Sequence, residues 1–129
     1  MERSPVPSGA GAQSRYVVLR HTGYGSDHFD LMIEPAPGAE RLLTWRSAAW
    51  PLADGAALTA LGSHRRAYLE YEGPVSGGRG TVSRVAEGRC HVEQAEDGWL
   101  VEFDGGDAWR LGDIARRMSR YDPASHDRP

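Results

Sequence analysis

The stretch from residue 16 to residue 34, YVVLRHTGYGSDHFDLMIE, decides the fold, because its apolar side chains recur mostly with a period of two on either side of a glycine-containing loop. A period of two is typical of strands that bury one face. We therefore expect strands at residues 16–21 and 28–34, with residues 22–27 as the loop between them. In the second strand, Phe29, Leu31 and Ile33 form the apolar face.

The same pattern continues through most of the chain. Further strands are expected at residues 41–46, 66–72, 80–86, 89–94, 99–104 and 108–111. Short turns rich in Gly, Asp and Glu connect the later segments, as in hairpins. Only residues 113–118 look helical, with Asp113 as the N-cap. The sequence thus predicts a mainly β fold, an antiparallel β-barrel or sandwich; we favour a small barrel with a short C-terminal helix.

The length of 129 residues fits one compact domain. Residues 1–14 and 119–129 are rich in small and polar residues and lack periodicity, so we expect two flexible tails around a domain at 15–118. No apolar run approaches the roughly 18 residues that a membrane-spanning helix requires, and no hydrophobic segment typical of a secretory signal precedes the domain.

Cysteine content and charge narrow the function classes. A single cysteine, Cys90, excludes an internal disulfide framework and a cysteine-based zinc site, and it favours a reducing cytoplasm. The net charge of −3 excludes bulk attraction to nucleic acid, so any such contact must be a local patch.

Two polar clusters carry the chemistry. Alternation places His28 and Asp30 on one face of a strand, and His21 ends the preceding strand, so the three side chains converge if the two strands pair. Two histidines and a carboxylate form a ligand set for Mn, Fe or Zn. The alternative is a set of polar residues on a solvent-exposed face.

The second cluster lies in residues 64–72, HRRAYLEYE, interpreted as a strand. Its even positions place His64, Arg66 and Tyr68 on one face, where their donors could hold a phosphate. A solvated outer face is the alternative. The following glycine-rich loop, residues 73–80, lacks the lysine and helix of a P-loop and is interpreted as a flexible connection.

Taken together, these segments resemble the 3′-phosphoesterase domain at the N-terminus of bacterial ATP-dependent DNA ligase D, which also occurs as a stand-alone protein. That family opens near F-V-V-Q-K-H-D-A-S-R-L-H-Y-D-F-R-L-E, and this chain has YVVLRH and, after a loop one residue longer, HFDLMIE. The family's L-K-S-W is similar to LLTW at residues 42–45. Further matches are His64, Tyr68, YEG at 71–73 and GRGTV at 78–82, so the resemblance covers about residues 15–111.

The resemblance implies a small β-barrel that removes a 3′-terminal phosphate or ribonucleotide from DNA or RNA ends during end repair. His21, His28 and Asp30 match the metal ligands, with Mn²⁺ the expected metal and Zn²⁺ the alternative; His64 and Tyr68 match the phosphate-side residues. The implied partners are nucleic-acid 3′ ends, reached by local contact, and ligase or polymerase repair proteins. The alternative function is a catalytically weak or inactive module that binds such ends or a repair partner.

Two family arginines are missing from this chain. One, two residues after the metal-binding aspartate, falls at Met32, and the other falls at Ala56. Either other arginines compensate, with Arg66 and Arg46 the best candidates, or the chain is a diverged, stand-alone member with weak or different activity. Arg66 is assigned to the catalytic set because the strand interpretation places it beside His64 and Tyr68.

Overall fold

The computed structural model describes residues 13–53 and 57–112, together with the backbone of residues 116–117 and 119–120. Ten strands and one 3₁₀ turn lie within this part of the chain. The strands are β1 (Ser14–Thr22), β2 (His28–Ile33), β3 (Arg41–Ser47), β4 (Ala57–Arg65), β5 (Gly73–Pro74), β6 (Thr81–Ala95), β7 (Gly98–Phe103), β8 (Ala108–Gly112), β9 (Arg116–Arg117) and β10 (Ser119–Arg120); the 3₁₀ turn is Arg66–Leu69. None of the helical turns described is long and apolar enough to cross a membrane.

All strand pairs are antiparallel, in the order β10-β8-β7-β6-β1-β2-β3-β4-β9, with β5 added beside β6. The sheet curls into a half-barrel, which confirms the predicted mainly β class. Because β1 pairs with both β2 and β6, it joins the consecutive strands β2–β4 to the consecutive strands β6–β8.

Each face of the central strands packs into its own apolar cluster, as strand alternation requires. The larger cluster includes Leu31, Leu58 of β4 and Leu111 of β8; since β4 and β8 lie near opposite ends of the strand order, the sheet curls around it. The smaller cluster, on the other face, consists of Val17, Leu19, Met32, Leu42, Leu69 and Val82. The candidate metal ligands belong to this second face.

Cys90 is fully buried in the larger cluster, as the alternation around it indicates. Burial, followed by the nearby charges of Glu34 and Asp104, raises the pKa of its thiol to about 12. A buried thiol of this kind does not form the thiolate that reactive cysteines need.

The structure corrects the predicted chain ends. The C-terminal helix expected at residues 113–118 is not found: Arg116–Arg117 pair with β4 as β9, and residues 113–115 and 118 lie outside the described residues. Ser119–Arg120 pair with β8 although a tail was predicted there, and Ser14 already begins β1. The rest of both predicted tails lies outside the described residues.

The strand predicted at residues 66–72 is also wrong. The chain leaves the sheet after Arg65 and forms the 3₁₀ turn, whose Leu69 is buried in the smaller cluster. The Arg66 guanidinium donates hydrogen bonds to the Glu34 carboxylate and to the Ala39 carbonyl. These contacts hold Arg66 at the start of the turn.

Glu34 is the buried partner of Arg66. Its carboxylate is 1% exposed and accepts hydrogen bonds from the backbone N–H groups of Arg15 at 2.6 Å and Gly38 at 3.0 Å, in addition to the bond from Arg66. Burial by itself would raise the pKa of Glu34, but these hydrogen bonds and the Arg66 charge together lower it.

Replacing Glu34 with Gln is therefore expected to lower the free energy of unfolding by about 3 kcal/mol near neutral pH, because buried donors lose a charged acceptor. A carboxyl whose pKa is lowered by folding stabilises above its unfolded pKa and stops stabilising as the pH falls through its folded pKa. Denaturant titrations should show the difference between wild type and E34Q shrinking as the pH drops below about 4.5, the ordinary value for this group. A difference that stays constant down to pH 2 would contradict this account.

Candidate metal centre

Three candidate ligands converge where β1 and β2 meet their connecting loop. The register places His21 directly opposite His28, and Asp30 lies two residues further along the same face of β2. One donor atom from each side chain lies within 4.8 Å of the others. All three are buried, with 9%, 7% and 4% exposure for His21, His28 and Asp30. This group could hold a metal ion.

Hydrogen bonds to backbone carbonyls fix the orientation of both imidazoles. His28 donates from Nδ1 to the Ser26 carbonyl at 2.8 Å, and His21 donates from Nε2 to the Arg79 carbonyl at 2.6 Å. A carbonyl only accepts, so in each neutral ring the opposite nitrogen carries the lone pair. These nitrogens, His28 Nε2 and His21 Nδ1, lie 3.5 Å and 3.7 Å from Asp30 Oδ2. Backbone carbonyls that orient histidines in this way are typical of metal sites.

Two buried atoms support this interpretation. His28 Nε2 and Asp30 Oδ1 have no hydrogen-bond partner, although each is enclosed by protein. The Arg46 Nε lies 3.6 Å from Asp30 Oδ1, which is beyond hydrogen-bond distance. A buried polar atom without a partner costs about 1–3 kcal/mol, and coordination of a divalent cation would satisfy both. The donor set of two imidazoles and a carboxylate fits Mn²⁺, Fe²⁺ or Zn²⁺.

The glycine-rich loop, residues 73–80, helps to position His21. A side chain at Gly80, whose φ is +82°, would place its Cβ 2.2 Å from the Thr22 carbonyl oxygen. Only glycine permits this approach, which brings the neighbouring Arg79 carbonyl to His21. Val75 N–H also donates to the Gly80 carbonyl at 2.8 Å. The loop interpreted as a flexible connection therefore packs at its Gly80 end against the loop between β1 and β2, and it contributes to the site through the Arg79 carbonyl.

A cavity of about 160 Å³ opens beside the three ligands. Its walls include His21, Asp30, Met32, Arg46, His64, Tyr68 and Arg79. The rings of His64 and Tyr68 meet edge to face, with centroids 5.8 Å apart. Both residues assigned to the phosphate thus lie with the candidate metal ligands, although Tyr68 reaches the cavity from the 3₁₀ turn and not from a strand.

Of the two arginines considered as replacements for the missing family arginines, only Arg46 lines the cavity. Arg66 is bound to Glu34 and is not among the residues that line this cavity. Arg46 lines the cavity, because β3 pairs with β2 so that Arg46 is opposite Asp30. Met32 lines the cavity but is only 2% exposed. Ala56 lies outside the described residues.

Two polar residues of the cavity wall, Arg79 and Tyr24, were not assigned a role from the sequence. Arg79 contributes its carbonyl to His21, and its guanidinium donates to the Ser76 carbonyl at 2.7 Å. Tyr24, in the loop between β1 and β2, is 53% exposed. The glycines around both residues were visible in the sequence, but they indicated only turns.

A comparison of the chain with protein-family models finds no match, and a comparison with curated proteins finds none either.

Proposed function

We propose that this protein is a divalent-metal-dependent phosphoesterase that acts on the 3′ ends of DNA or RNA, with Mn²⁺ as its metal. The observation that carries the proposal is a pair of buried ligand atoms without a hydrogen-bond partner, His28 Nε2 and Asp30 Oδ1, beside a cavity lined by groups that could bind a phosphate. The order and spacing of the motifs that resemble the DNA ligase D phosphoesterase domain support the choice of substrate. The cytoplasm, where DNA ends and repair proteins meet, is the compartment that this function requires.

The chain's own residues divide the work between holding the metal and holding the phosphate. His21, His28 and Asp30 would hold the cation, which when bound polarises a phosphoryl oxygen and lowers the pKa of a water molecule. The Tyr68 hydroxyl and the Arg46 guanidinium belong to residues of the cavity wall and would donate to the other phosphoryl oxygens.

His64 is the residue suited to proton transfer. Its Nδ1 lies 3.0 Å from the Gly62 carbonyl and donates to it, which leaves Nε2 as the nitrogen available to the cavity. In the imidazolium form, this nitrogen can donate a proton to the oxygen that leaves the phosphorus.

A non-catalytic module that binds nucleic-acid ends or a repair partner is the second candidate. The observation that favours it is Met32, an apolar and buried side chain at the position where the resembling family has an arginine. Such a module would keep the metal group and the cavity, but it would hold the phosphate too weakly for turnover.

Metal-depleted protein is expected to release phosphate from a 3′-phosphorylated oligonucleotide only after Mn²⁺ is added. Y68F should lower kcat/KM by about 10-fold, because one donor to the phosphate is lost. Y16F is the matched control, since Tyr16 packs edge to face on Phe103 and lines the larger cluster. Phosphate release measured with a coupled assay checks both.

Two outcomes would contradict the proposal. If protein with bound metal releases no phosphate from 3′ ends, the binding module replaces the enzyme. If a 5′-phosphorylated oligonucleotide is hydrolysed as fast as the 3′-phosphorylated one, the assignment to 3′ ends is wrong.

A further inference from the structure

Tyr24 is the most exposed of the large hydrophobic residues among those the structure describes, with 53% of its surface accessible. A single exposed apolar residue is ordinary, so exposure alone does not indicate a site. Its position is what distinguishes it. Tyr24 lies in the loop that is one residue longer than the loop of the resembling family, directly beside the candidate metal ligands.

We infer that Tyr24 is a stacking platform for the nucleobase of the 3′-terminal nucleotide, and that the open cavity next to it receives that base. This subsite rests on the proposed function for its substrate. It adds a determinant of binding that contacts the base of the terminal nucleotide and not its phosphate.

The orientation of the Tyr24 ring supports this inference. The ring is nearly parallel to the imidazole of His21, with an angle of 19° between the planes and centroids 6.3 Å apart. An aromatic face is therefore presented next to the group that would hold the metal and, through it, the phosphate. Stacking on such a face tolerates any base, because every base has a π-surface.

Two cavities meet at Tyr24. It lines the 160 Å³ cavity with His64 and Tyr68, and it also lines a second cavity of about 500 Å³. Arg46 lines both cavities as well. The other walls of the second cavity are Gly25, Ser26, Asp27, His28, Ala48, Ala57 and Thr59. A volume of this size is in the range of small-molecule sites, roughly 300–1,000 Å³. With the phosphate in the first cavity, the attached nucleoside has room in the second.

The backbone around Tyr24 is fixed by neighbouring contacts. A Cβ at Gly80 would approach the Tyr24 Cβ to 3.1 Å, so the glycine-rich loop packs directly beneath this tyrosine. Gly23 and Gly25, on either side of it, have φ of +83° and +68°, which favours glycine. Because the backbone of Tyr24 is already positioned, stacking of a base would cost the conformational entropy of the tyrosine side chain only.

Binding of two oligonucleotides tests the subsite. Both carry a non-hydrolysable 3′-phosphonate, and their terminal nucleotide has a base in one and is abasic in the other. Fluorescence anisotropy with Mn²⁺-loaded wild type should show about 10-fold tighter binding of the base-bearing oligonucleotide. Y24A should reduce this ratio to about 1, whereas Y24F should keep it. V85A is the control, because Val85 is exposed but lines neither cavity.

The outcomes separate this inference from the proposed function. A ratio of about 10 that persists in Y24A, or a ratio of 1 in wild type, overturns the stacking platform even where metal-dependent phosphate release is intact. A ratio that depends on Tyr24 in a protein without phosphate release supports the platform and overturns the enzyme. Absence of binding to both oligonucleotides overturns both.

Discussion

H28A and D30A are each expected to abolish stoichiometric binding of Mn²⁺ and of Zn²⁺, because each removes one of the three donors that the described residues contribute to the metal group. Isothermal titration calorimetry of the metal-depleted protein checks this directly. The wild type should bind one ion per chain. H91A is the matched control, since His91 lies on β6 opposite Glu102 and outside the metal group.

Thermal unfolding gives an independent readout. A ligand that binds only the folded state stabilises it by about 2.7 kcal/mol at 100 times its Kd, so wild type should gain stability when Mn²⁺ is added and the variants should not. Without metal, D30N should be no less stable than wild type, because Asp30 Oδ1 accepts no hydrogen bond and its ion pair with the half-exposed Arg46 contributes little. If the double variant H28A/D30A binds metal as wild type does, the assignment of the site is wrong.

The metal group could be predicted from the sequence because it depends on one rigid rule. Successive side chains of a strand point to opposite faces, so His28 and Asp30 had to share a face once Leu31 and Ile33 entered the core. The register of the β1–β2 pair then determines that His21 lies opposite His28. Pairing of two adjacent strands was the only further assumption.

The positions of the residues assigned to the phosphate, His64, Arg66 and Tyr68, could be predicted only in part. The alternation of polar and apolar residues at 64–72 is as compatible with a strand as the alternation in β2. The chain nevertheless leaves the sheet after Arg65. The turn begins at Arg66, which binds Glu34, a residue 32 positions earlier in the sequence. Periodicity within a segment carries no information about such contacts. Tyr68 still reaches His64, but by the 3₁₀ turn.

The contribution of Arg79 was hidden for a different reason. It acts on His21 through its backbone carbonyl, and any residue type has one. What the sequence shows instead is Gly80, the residue that permits the close approach of the two loops. A glycine of this kind indicates a constrained backbone, but it does not indicate which group is brought into place.

Because Arg66 is bound to Glu34 and Arg46 lines the cavity, we expect substitutions of the two arginines to have different effects on activity and stability. R46A is expected to lower kcat for release of a 3′-phosphate by about 10²–10³-fold, since Arg46 is the cation beside Asp30 in the cavity and a charged donor to the transition state is lost. Calorimetric metal binding should persist in R46A, because Arg46 donates no ligand. R46K should recover only part of the rate, as lysine keeps the charge but not the planar pair of donors.

R66A provides the opposite pattern. Arg66 binds the buried carboxylate of Glu34 and lies outside the cavity wall, so its removal should lower the thermal midpoint while kcat of the folded protein changes no more than a few-fold. The contact of Arg46 with Asp30, at 3.6 Å, is beyond hydrogen-bond distance, whereas Arg66 donates hydrogen bonds to Glu34 and Ala39, so R46A should unfold close to wild type. Should R66A lose turnover as severely as R46A at a temperature where both are folded, the arginine that holds the phosphate would be Arg66, and the cavity would extend across the 3₁₀ turn.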